Sequence, residues 1–275
     1  MITVLLDFAK KAGDEMKARR KSLHALGNKD GSVSSLVTTT DIAVSDLFEK
    51  TVKENFSALN YMIIDEEKIS KYGENIFDAV EKTDYQFAID PVDGTVQYAY
   101  GHPLYGISIG VYKKTKPLYG IVYLPELNEL TYFDGQKAYL VENAFRPDEI
   151  RSEIKPFTKS DSPVIFAHSW LWDLSAGFST GKALVFDYYS AVSKSLYTLT
   201  GKAKAYCINC KLWDIAGTLP IAQYLGLYLR EYGTSVVYDR ISPAYFNPDM
   251  TVKNPCVLCC PEDYDNVCAL VEPKR

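Results

Sequence analysis

The sequence predicts an α/β protein with an α+β N-terminal half, residues 1–145, and an α/β C-terminal half, residues 146–275. An amphipathic helical pattern opens the chain, and short apolar segments in its middle pair as hairpins of an antiparallel sheet. Strand and helix patterns then alternate in the second half. A charged, irregular stretch over 142–162 separates the two patterns. We therefore expect one compact unit of two parts, with the boundary in that stretch.

The composition indicates a globular protein with a substantial core. The chain has 275 residues, of which 47% are hydrophobic, and a formal net charge of −5. It lacks the ~20 continuous apolar residues of a membrane helix, and its apolar start is interrupted by Asp7 without a basic leader. We expect a cytoplasmic protein with no membrane partner. The acidic balance, with no dense Lys/Arg block, argues against a nucleic-acid partner.

The N-terminal region reads as helix, loop, short strand and helix. Apolar residues at helical spacing predict a first helix over residues 1 to about 26, and the Gly/Ser-rich stretch 27–35 predicts a loop. Residues 36–40 have a β pattern, and a helical stripe that includes Val44 and Phe48 starts at Asp41. Asp41 is thus expected at a junction between a strand and a helix.

The middle of the chain places carboxylates where strands end. The strand pattern 61–64 leads into Asp65, Glu66 and Glu67, and the pattern 87–89 leads into Asp90. Four further strands are predicted to form two hairpins. They are 104–111 with 118–124, and 130–133 with 137–141.

The second half is expected to alternate between the two kinds of element. The predicted strands are 164–167, 203–208, 235–238 and 256–260. The predicted helices are 188–199, 215–225 and 264–271. Pro220 lies inside the second of these helices and should kink it or mark a break, because proline cannot donate the helical hydrogen bond.

The turn Asp-Pro-Val-Asp-Gly-Thr at 90–95 carries the clearest chemical signal. It holds two carboxylates, Asp90 and Asp93, three residues apart on a turn shaped by proline and glycine. Such a pair is stable beside a cation, and hard oxygen ligands suit Mg²⁺ or Mn²⁺ better than zinc. The alternative is an ordinary loop with two solvated aspartates. Bound metal would also allow a small anionic substrate in this acidic protein.

Two other patterns compete for a functional reading. Cys207 with Cys210, and Cys256 with Cys259, have the spacing of zinc ligands, but strand-like surroundings favour buried free thiols. The run Gly-Ile-Ser-Ile-Gly around Ser108 matches a serine-hydrolase motif. A nucleophilic serine of that class needs a turn between strand and helix, whereas Ser108 lies inside a predicted strand.

Four motifs in this order resemble the inositol monophosphatase family of metal-dependent, often lithium-sensitive sugar and nucleotide phosphatases. They are Val-Thr-Thr-Thr-Asp at 37–41, Ile-Asp-Glu-Glu at 64–67, Asp-Pro-Val-Asp-Gly-Thr at 90–95 and Trp-Asp-Ile-Ala-Gly at 213–217. The resemblance implies a layered αβαβα sandwich of the sugar phosphatase type. It also implies a Mg²⁺-dependent phosphomonoesterase that hydrolyses a small phosphorylated polyol or sugar.

The resemblance implies a role for each motif residue. One Mg²⁺ would be held by Glu66, Asp90 and the Val92 carbonyl. A second would be held by Asp90, Asp93 and Asp214. A third ion could bind as well, and Mn²⁺ could replace Mg²⁺. The implied catalytic residues, which orient or deprotonate water, are Asp41, Thr95 and Glu66. The implied substrate-binding positions are Gly94, Thr95, Ser190, Cys207 and Asp214. Inhibition by Li⁺ and Ca²⁺ and a homodimer are implied in the same way.

The chain departs from the family pattern on the substrate side. Cys207 occupies the position of the acidic residue that reads the inositol ring, and Tyr188 and Tyr189 replace smaller residues before Ser190. Inositol phosphate is therefore less favoured than phosphatase chemistry itself. The alternatives are fructose-1,6-bisphosphatase, histidinol-phosphatase or 3′-phosphoadenosine phosphatase activity. A non-enzymatic alternative is a degenerate family member that binds an anion without turnover.

Overall fold

The structure is a computed structural model that describes residues 1–20, 25–28, 36–168, 171–174 and 183–274. Its α-helices are α1 (Ile2–Arg19), α2 (Thr39–Phe56), α3 (Ile76–Lys82), α4 (Thr95–Ala99), α5 (Ala191–Leu199), α6 (Leu212–Ile215), α7 (Thr218–Leu225) and α8 (Tyr264–Cys268). Its strands are β1 (Ala25–Asn28), β2 (Leu36–Thr38), β3 (Tyr61–Asp65), β4 (Tyr85–Asp93), β5 (Gly106–Lys113), β6 (Lys116–Leu124), β7 (Glu129–Phe133), β8 (Ala138–Glu142), β9 (Ile150–Ile154), β10 (Val164–Ala167), β11 (Trp172–Leu174), β12 (Leu184–Phe186), β13 (Ala205–Ile208), β14 (Tyr228–Glu231), β15 (Cys256–Cys259) and β16 (Val271–Pro273).

The elements stack as alternating α and β layers. Helices α1 and α2 cover one face of a seven-stranded sheet, where Phe8 and Phe48 pack against Phe87. Helices α5, α6 and α7 fill the space between that sheet and a five-stranded sheet. Helix α8 covers the far face of the five-stranded sheet through Tyr264 and Val267. The predicted αβαβα sandwich is confirmed.

The seven-stranded sheet has the order β3-β4-β5-β6-β7-β8-β9. Its first pair is parallel, and the rest are antiparallel. Both predicted hairpins form, and the first turns through Lys114 and Thr115 with φ of 49° and 68°. Strand β9 extends this sheet to Ile154, beyond the predicted boundary at 145. The division of the chain into two halves remains a prediction.

The five-stranded sheet has the order β12-β10-β13-β15-β14. Strands β10, β13 and β15 lie at or within their predicted positions, but the prediction of a strand over 235–238 is wrong. That stretch forms an isolated bridge, Arg230 with Val237, while the edge strand is β14. Alternating apolar residues could not distinguish the two stretches, because the pairing with β15 decides which one becomes the strand.

The first helix is shorter than predicted. Helix α1 ends at Arg19, and residues 25–28 form β1 paired with β2, so the helical prediction to residue 26 and the loop prediction from residue 27 are wrong at this point. The rest of the predicted loop, residues 29–35, lies outside the described residues. In the part of the chain that is described, none of the helices combines the length and apolar content needed to cross a bilayer.

Helices α6 and α7 contact the seven-stranded sheet backbone to backbone. A Cβ atom at Gly217, between the two helices, would lie 2.0 Å from the Ile121 carbonyl oxygen. A Cβ at Gly110 or Gly120 would lie 2.2 Å from a carbonyl oxygen of the Ala216–Gly217 segment. The predicted single helix 215–225 is therefore interrupted at this segment. Pro220 then falls in the first turn of α7, where a missing N–H costs little.

We expect Gly120→Ala to lower the free energy of unfolding by about 2–3 kcal/mol, because the added methyl group would overlap the Gly217 carbonyl. The urea midpoint of the purified protein measures this change. Ser152→Ala, at an exposed position of β9, should alter the free energy by less than about 0.5 kcal/mol. Equal stability of the Gly120 variant and the wild type would contradict the close contact.

Candidate active site

Three carboxylates from two elements converge at the end of β4. Oxygen atoms of Asp90, Asp93 and Asp214 all lie within 4.8 Å of one another. These residues line a cavity of about 220 Å³, and Glu66 lines it as well. The four acidic residues assigned to metal by resemblance therefore share one cavity.

A β-bulge brings Asp90 and Asp93 to the same cavity. Residues three apart on a regular strand point to opposite faces of the sheet. Here Asp90 pairs with Ser108 and Asp93 with Gly106, so two residues of β4 stand opposite a single residue of β5. Pro91 lies inside the irregularity, as proline in a strand commonly does. The amide of Val92 donates a 3.1 Å hydrogen bond to Asp90 Oδ1, which holds that carboxylate in place.

The acidic run at the end of β3 includes one structural carboxylate and one carboxylate that lines the cavity. Asp65 is buried and accepts hydrogen bonds from the Ser45 hydroxyl at 2.6 Å and from the Glu67 amide at 2.9 Å. It therefore caps the short 3₁₀ helix that follows the strand. Glu66, the next residue, lines the cavity.

Asp93 is bound by the first turn of α5. It accepts hydrogen bonds from the amides of Ala191 at 2.9 Å and Val192 at 3.0 Å, and also from the Ser190 hydroxyl. Ser190 caps α5 through the Ser193 amide at 3.2 Å. A carboxylate at a helix N-terminus is stabilised by the helix dipole. The Ser190 hydroxyl, predicted to bind substrate, is thus engaged in positioning Asp93.

Asp214 lies in the first turn of α6. Its Oδ2 accepts a 2.7 Å hydrogen bond from the Lys211 amide, which starts that helix. The simple capping role and the cavity-facing role therefore coexist in one side chain. The amide of Gly217 donates a 3.0 Å hydrogen bond to the Ser108 hydroxyl, which attaches the segment after α6 to β5. Ser108 is fully buried inside β5, and this geometry removes the serine-hydrolase alternative.

Asp41 and Thr95 meet at the same end of β4. The Thr95 hydroxyl lies 3.2 Å from Asp41 Oδ1 and 3.0 Å from the Val92 carbonyl. The other oxygen of Asp41 accepts hydrogen bonds from the Thr38 amide at 2.9 Å and from the Thr38 hydroxyl. Thr40 contacts the buried Tyr98 hydroxyl at 3.0 Å. Thr38 therefore fixes one oxygen of the Asp41 carboxylate, and the other oxygen faces the Thr95 hydroxyl.

Gly94 and Cys207 also line the cavity. Gly94 precedes α4 with φ of 74°, a left-handed conformation in which a Cβ would approach the Leu104 carbonyl to 3.1 Å. Cys207 ends up among apolar neighbours of the five-stranded sheet, and burial raises the pKa of its thiol well above the usual range. A neutral thiol therefore stands where the family pattern has an acid.

Burial and mutual repulsion raise the pKa values of the clustered carboxyls. The pKa of Asp214 rises to about 7, first through burial and then through the charges of Glu66 and Asp93. Burial, the largest cause, and the charges of Glu66 and Asp93 also raise the pKa of Asp90 well above its usual value. Burial raises the pKa of Asp41 to about 6. Negative charge in this cavity is costly unless a cation balances it.

The sequence profile of the Inositol monophosphatase family matches residues 1–258. The chain belongs to the inositol monophosphatase family. Inositol monophosphatase 1 of Solanum lycopersicum is 36% identical over 140 residues, which span 50% of this chain and 48% of that protein. The chain thus spans about half the length of the Solanum inositol monophosphatases that it matches.

Two other similarities extend over nearly the whole chain. The Nus factor SuhB of Haemophilus influenzae is 25% identical over 261 residues, covering 92% of this chain and 93% of that protein. A crystal structure of an IMPase/NADP phosphatase complexed with Mg²⁺ and phosphate has a TM-score of 0.72 at 15% identity, covering 97% of this chain and 92% of that one. The profile match confirms the predicted family, and the structural similarity confirms its fold.

This family member has cavity residues that the sequence did not single out as site residues. Lys194 and Asn209 line the cavity together with His168 and Tyr189. Lys194 lies in α5 four residues after the cap of that helix, and nothing in the local pattern distinguishes it from a solvent-exposed lysine. Lys194 reaches the cavity because the first turn of α5 binds Asp93 and so holds this helix against the site.

The pKa values predict how pH affects the metal-free protein. A carboxyl whose pKa is higher in the folded chain than its usual 3.8 stabilises the fold below that value, and the contribution is lost as pH rises to 6–7. In EDTA, Asp214→Asn should therefore raise the urea midpoint more at pH 8.0 than at pH 5.5. The gain in the free energy of unfolding should be about 1–2 kcal/mol larger at pH 8.0 than at pH 5.5, because one pKa unit corresponds to about 1.4 kcal/mol.

The exposed Asp7 supplies the control for this measurement. Asp7→Asn should shift the urea midpoint equally at the two pH values. Parallel pH profiles for wild type and Asp214→Asn would contradict the raised pKa.

Proposed function

We propose that this protein is a Mg²⁺-dependent phosphomonoesterase that hydrolyses a small phosphorylated polyol or sugar. The observation that carries the proposal is the meeting of Asp90, Asp93 and Asp214 within 4.8 Å in a cavity. Buried carboxylates this close repel one another, and oxygen donors at this density suit Mg²⁺. The similar structure of an IMPase/NADP phosphatase complexed with Mg²⁺ and phosphate is consistent with this choice.

The donor set fits two divalent ions. In the proposed arrangement Glu66, Asp90 and the Val92 carbonyl would hold one ion, and Asp90, Asp93 and Asp214 would hold the other. The Val92 carbonyl accepts a hydrogen bond from Thr95, and a carbonyl oxygen has two lone pairs, so it could also bind a metal. A third, weaker ion at Glu66, replacement by Mn²⁺, and inhibition by Li⁺ or Ca²⁺ belong to the same proposal.

When bound, the ions would lower the pKa of water and stabilise the leaving alkoxide. The protein groups supply orientation and a proton acceptor. Asp41, held by Thr38, would draw a proton from water through the Thr95 hydroxyl, with Glu66 assisting from the cavity wall. A carboxyl with a pKa of about 6 is well matched to general-base work near neutral pH.

The substrate would lie across the cavity. We propose that the amides of Gly94 and Thr95, two cavity-lining residues at the start of α4, bind phosphate oxygens. Ser190, Cys207 and Asp214 would border the alcohol part. Because the Cys207 thiol is a weak hydrogen-bond partner, inositol phosphate is less favoured than other small sugar phosphates, including fructose-1,6-bisphosphate, histidinol phosphate and 3′-phosphoadenosine phosphates.

The surroundings of the enzyme are part of the proposal. We propose a homodimer in the cytoplasm, with a small phosphorylated metabolite as partner and no role for nucleic acid or membrane. The two parts, 1–145 and 146–275, would act as one unit, because Asp93 of the first is bound by the α5 turn of the second. The degenerate, anion-binding alternative is tested by turnover.

Replacing Asp93 with Asn should lower the rate of phosphate release at millimolar Mg²⁺ by about 100-fold or more, because the proposed metal site loses one negative charge. Phosphate release from glycerol 2-phosphate and from a panel of sugar phosphates measures this, and circular dichroism checks that the chain stays folded. Asp7→Asn should keep full activity. Wild-type turnover in the folded Asp93 variant would contradict the site assignment.

Chelation and Ser108→Ala give opposite results if the metal site performs the reaction. EDTA should abolish phosphate release, and added Mg²⁺ should restore it. Ser108→Ala should keep turnover within several-fold of wild type, with a stability loss of about 1 kcal/mol from the hydrogen bond to Gly217. Activity that resists EDTA, or background phosphate release for every substrate with Mg²⁺ present, would refute the proposed function.

A further inference from the structure

Lys194 is a buried cation in the wall of the candidate active site. It is 4% exposed and lines the same cavity as the carboxylate cluster. Burying an ammonium group costs several kcal/mol unless charges and acceptors compensate it. A cation in this place therefore requires an explanation from its contacts.

The hydrogen bonds of the protein compensate this charge only in part, and the charge of Asp93 also acts on it. Lys194 Nζ lies 3.4 Å from Asp187 Oδ1 and 4.9 Å from the centroid of the buried Tyr206 ring. An ammonium has three N–H donors, and one long contact to a carboxylate uses one of them. Within the described part of the chain, Asp187 is the single hydrogen-bond acceptor of this group. The ammonium retains capacity for a second anion.

Asp187 holds the lysine without entering the cavity. It does not belong to the described residues that line the cavity, whereas Lys194 and His168 do. Its second oxygen is buried and lies 3.6 Å from His168 Nδ1. Burial lowers the pKa of His168. The lysine is thus the charged partner of Asp187, and it faces the space that a substrate would occupy.

Neutral polar groups also line the cavity. Cys207, where the family pattern has an acid that binds polyol hydroxyls, is a neutral thiol in the same cavity. Asn209, also in the lining, is uncharged. Beyond the acidic residues, the described lining therefore offers one Lys or Arg side chain, that of Lys194, and neutral polar groups. This combination suits a negatively charged group better than a polyol hydroxyl.

We propose that Lys194 is a specificity-determining residue that binds a second anionic group, a carboxylate or a second phosphate, on the alcohol part of the substrate. This inference rests on the proposed phosphatase function and narrows its substrate class. The phosphoryl group lies at the carboxylate cluster, and the second anion completes the hydrogen bonding of the Lys194 ammonium. Asp187 competes with that anion for the same cation.

Two pairs of matched substrates test the inference. In 3-phosphoglycerate and glycerol 3-phosphate, a carboxylate replaces a hydroxymethyl group on one skeleton. Fructose 1,6-bisphosphate and fructose 1-phosphate differ in the second phosphate. The measured quantity is the ratio of kcat/KM values within each pair, together with the ratio of Kd values obtained by calorimetry with Ca²⁺ in place of Mg²⁺. The pair whose ratio responds to the variants identifies the anion.

The double variant Lys194→Met with Asp187→Asn removes the cation without leaving a buried charge unpaired. It should lower the preference for the anionic member of one pair by about tenfold or more, as expected for a lost charged hydrogen bond. Asp187→Asn alone should raise that preference, because the competing carboxylate is gone. Lys202→Met removes an exposed lysine that also lies over a tyrosine ring and should leave both ratios unchanged.

Each outcome decides the inference. A ratio that is unchanged in both variants for both pairs, or equal losses on both members of a pair, would assign Lys194 a structural role and overturn the proposal. Absence of turnover on all four compounds would refute the proposed function alone. The Kd ratios would then still test Lys194, since binding does not require hydrolysis.

Discussion

The architecture of the site depends on a contact between two backbones. Gly217, between α6 and α7, lies against the carbonyl of Ile121, and Gly110 and Gly120 receive the same segment from the sheet side. Any side chain at these positions would separate the helices from the sheet. Asp214 belongs to α6, so this contact determines how near its carboxylate comes to Asp90. The carboxylate cluster is thus a consequence of packing without side chains.

That packing imposes an electrostatic cost, which the fold reduces but does not remove. The α5 amides and Ser190 stabilise Asp93, the Lys211 amide stabilises Asp214, and Thr38 stabilises Asp41. Burial still raises the pKa values of all three carboxyls. A fold with such a cluster is less stable when no cations are bound, and cation binding raises its stability. In the proposed enzyme, the same groups that orient the carboxylates would prepare a metal site.

Helix α5 links the two ends of the cavity. Its first amides bind Asp93, and one turn later Lys194 points its ammonium towards Asp187 and Tyr206. Residues three and four apart on a helix share a face, so a helix whose first turn binds Asp93 also brings Lys194 close to the same cavity. In the proposed enzyme one short helix would serve both the phosphoryl end and the alcohol end of the substrate.

The sequence by itself determined the family, and through that resemblance the layered fold, because the resemblance depends on short runs such as 90–95. It also determined most strands, which follow from local apolar periodicity. It could not choose β14 over 235–238 or end α1 at Arg19. Each of those outcomes depends on a partner distant in the chain. Only the tertiary structure engaged Ser190 with Asp93 and placed Lys194 in the cavity, since burial and charge pairing arise when distant segments meet.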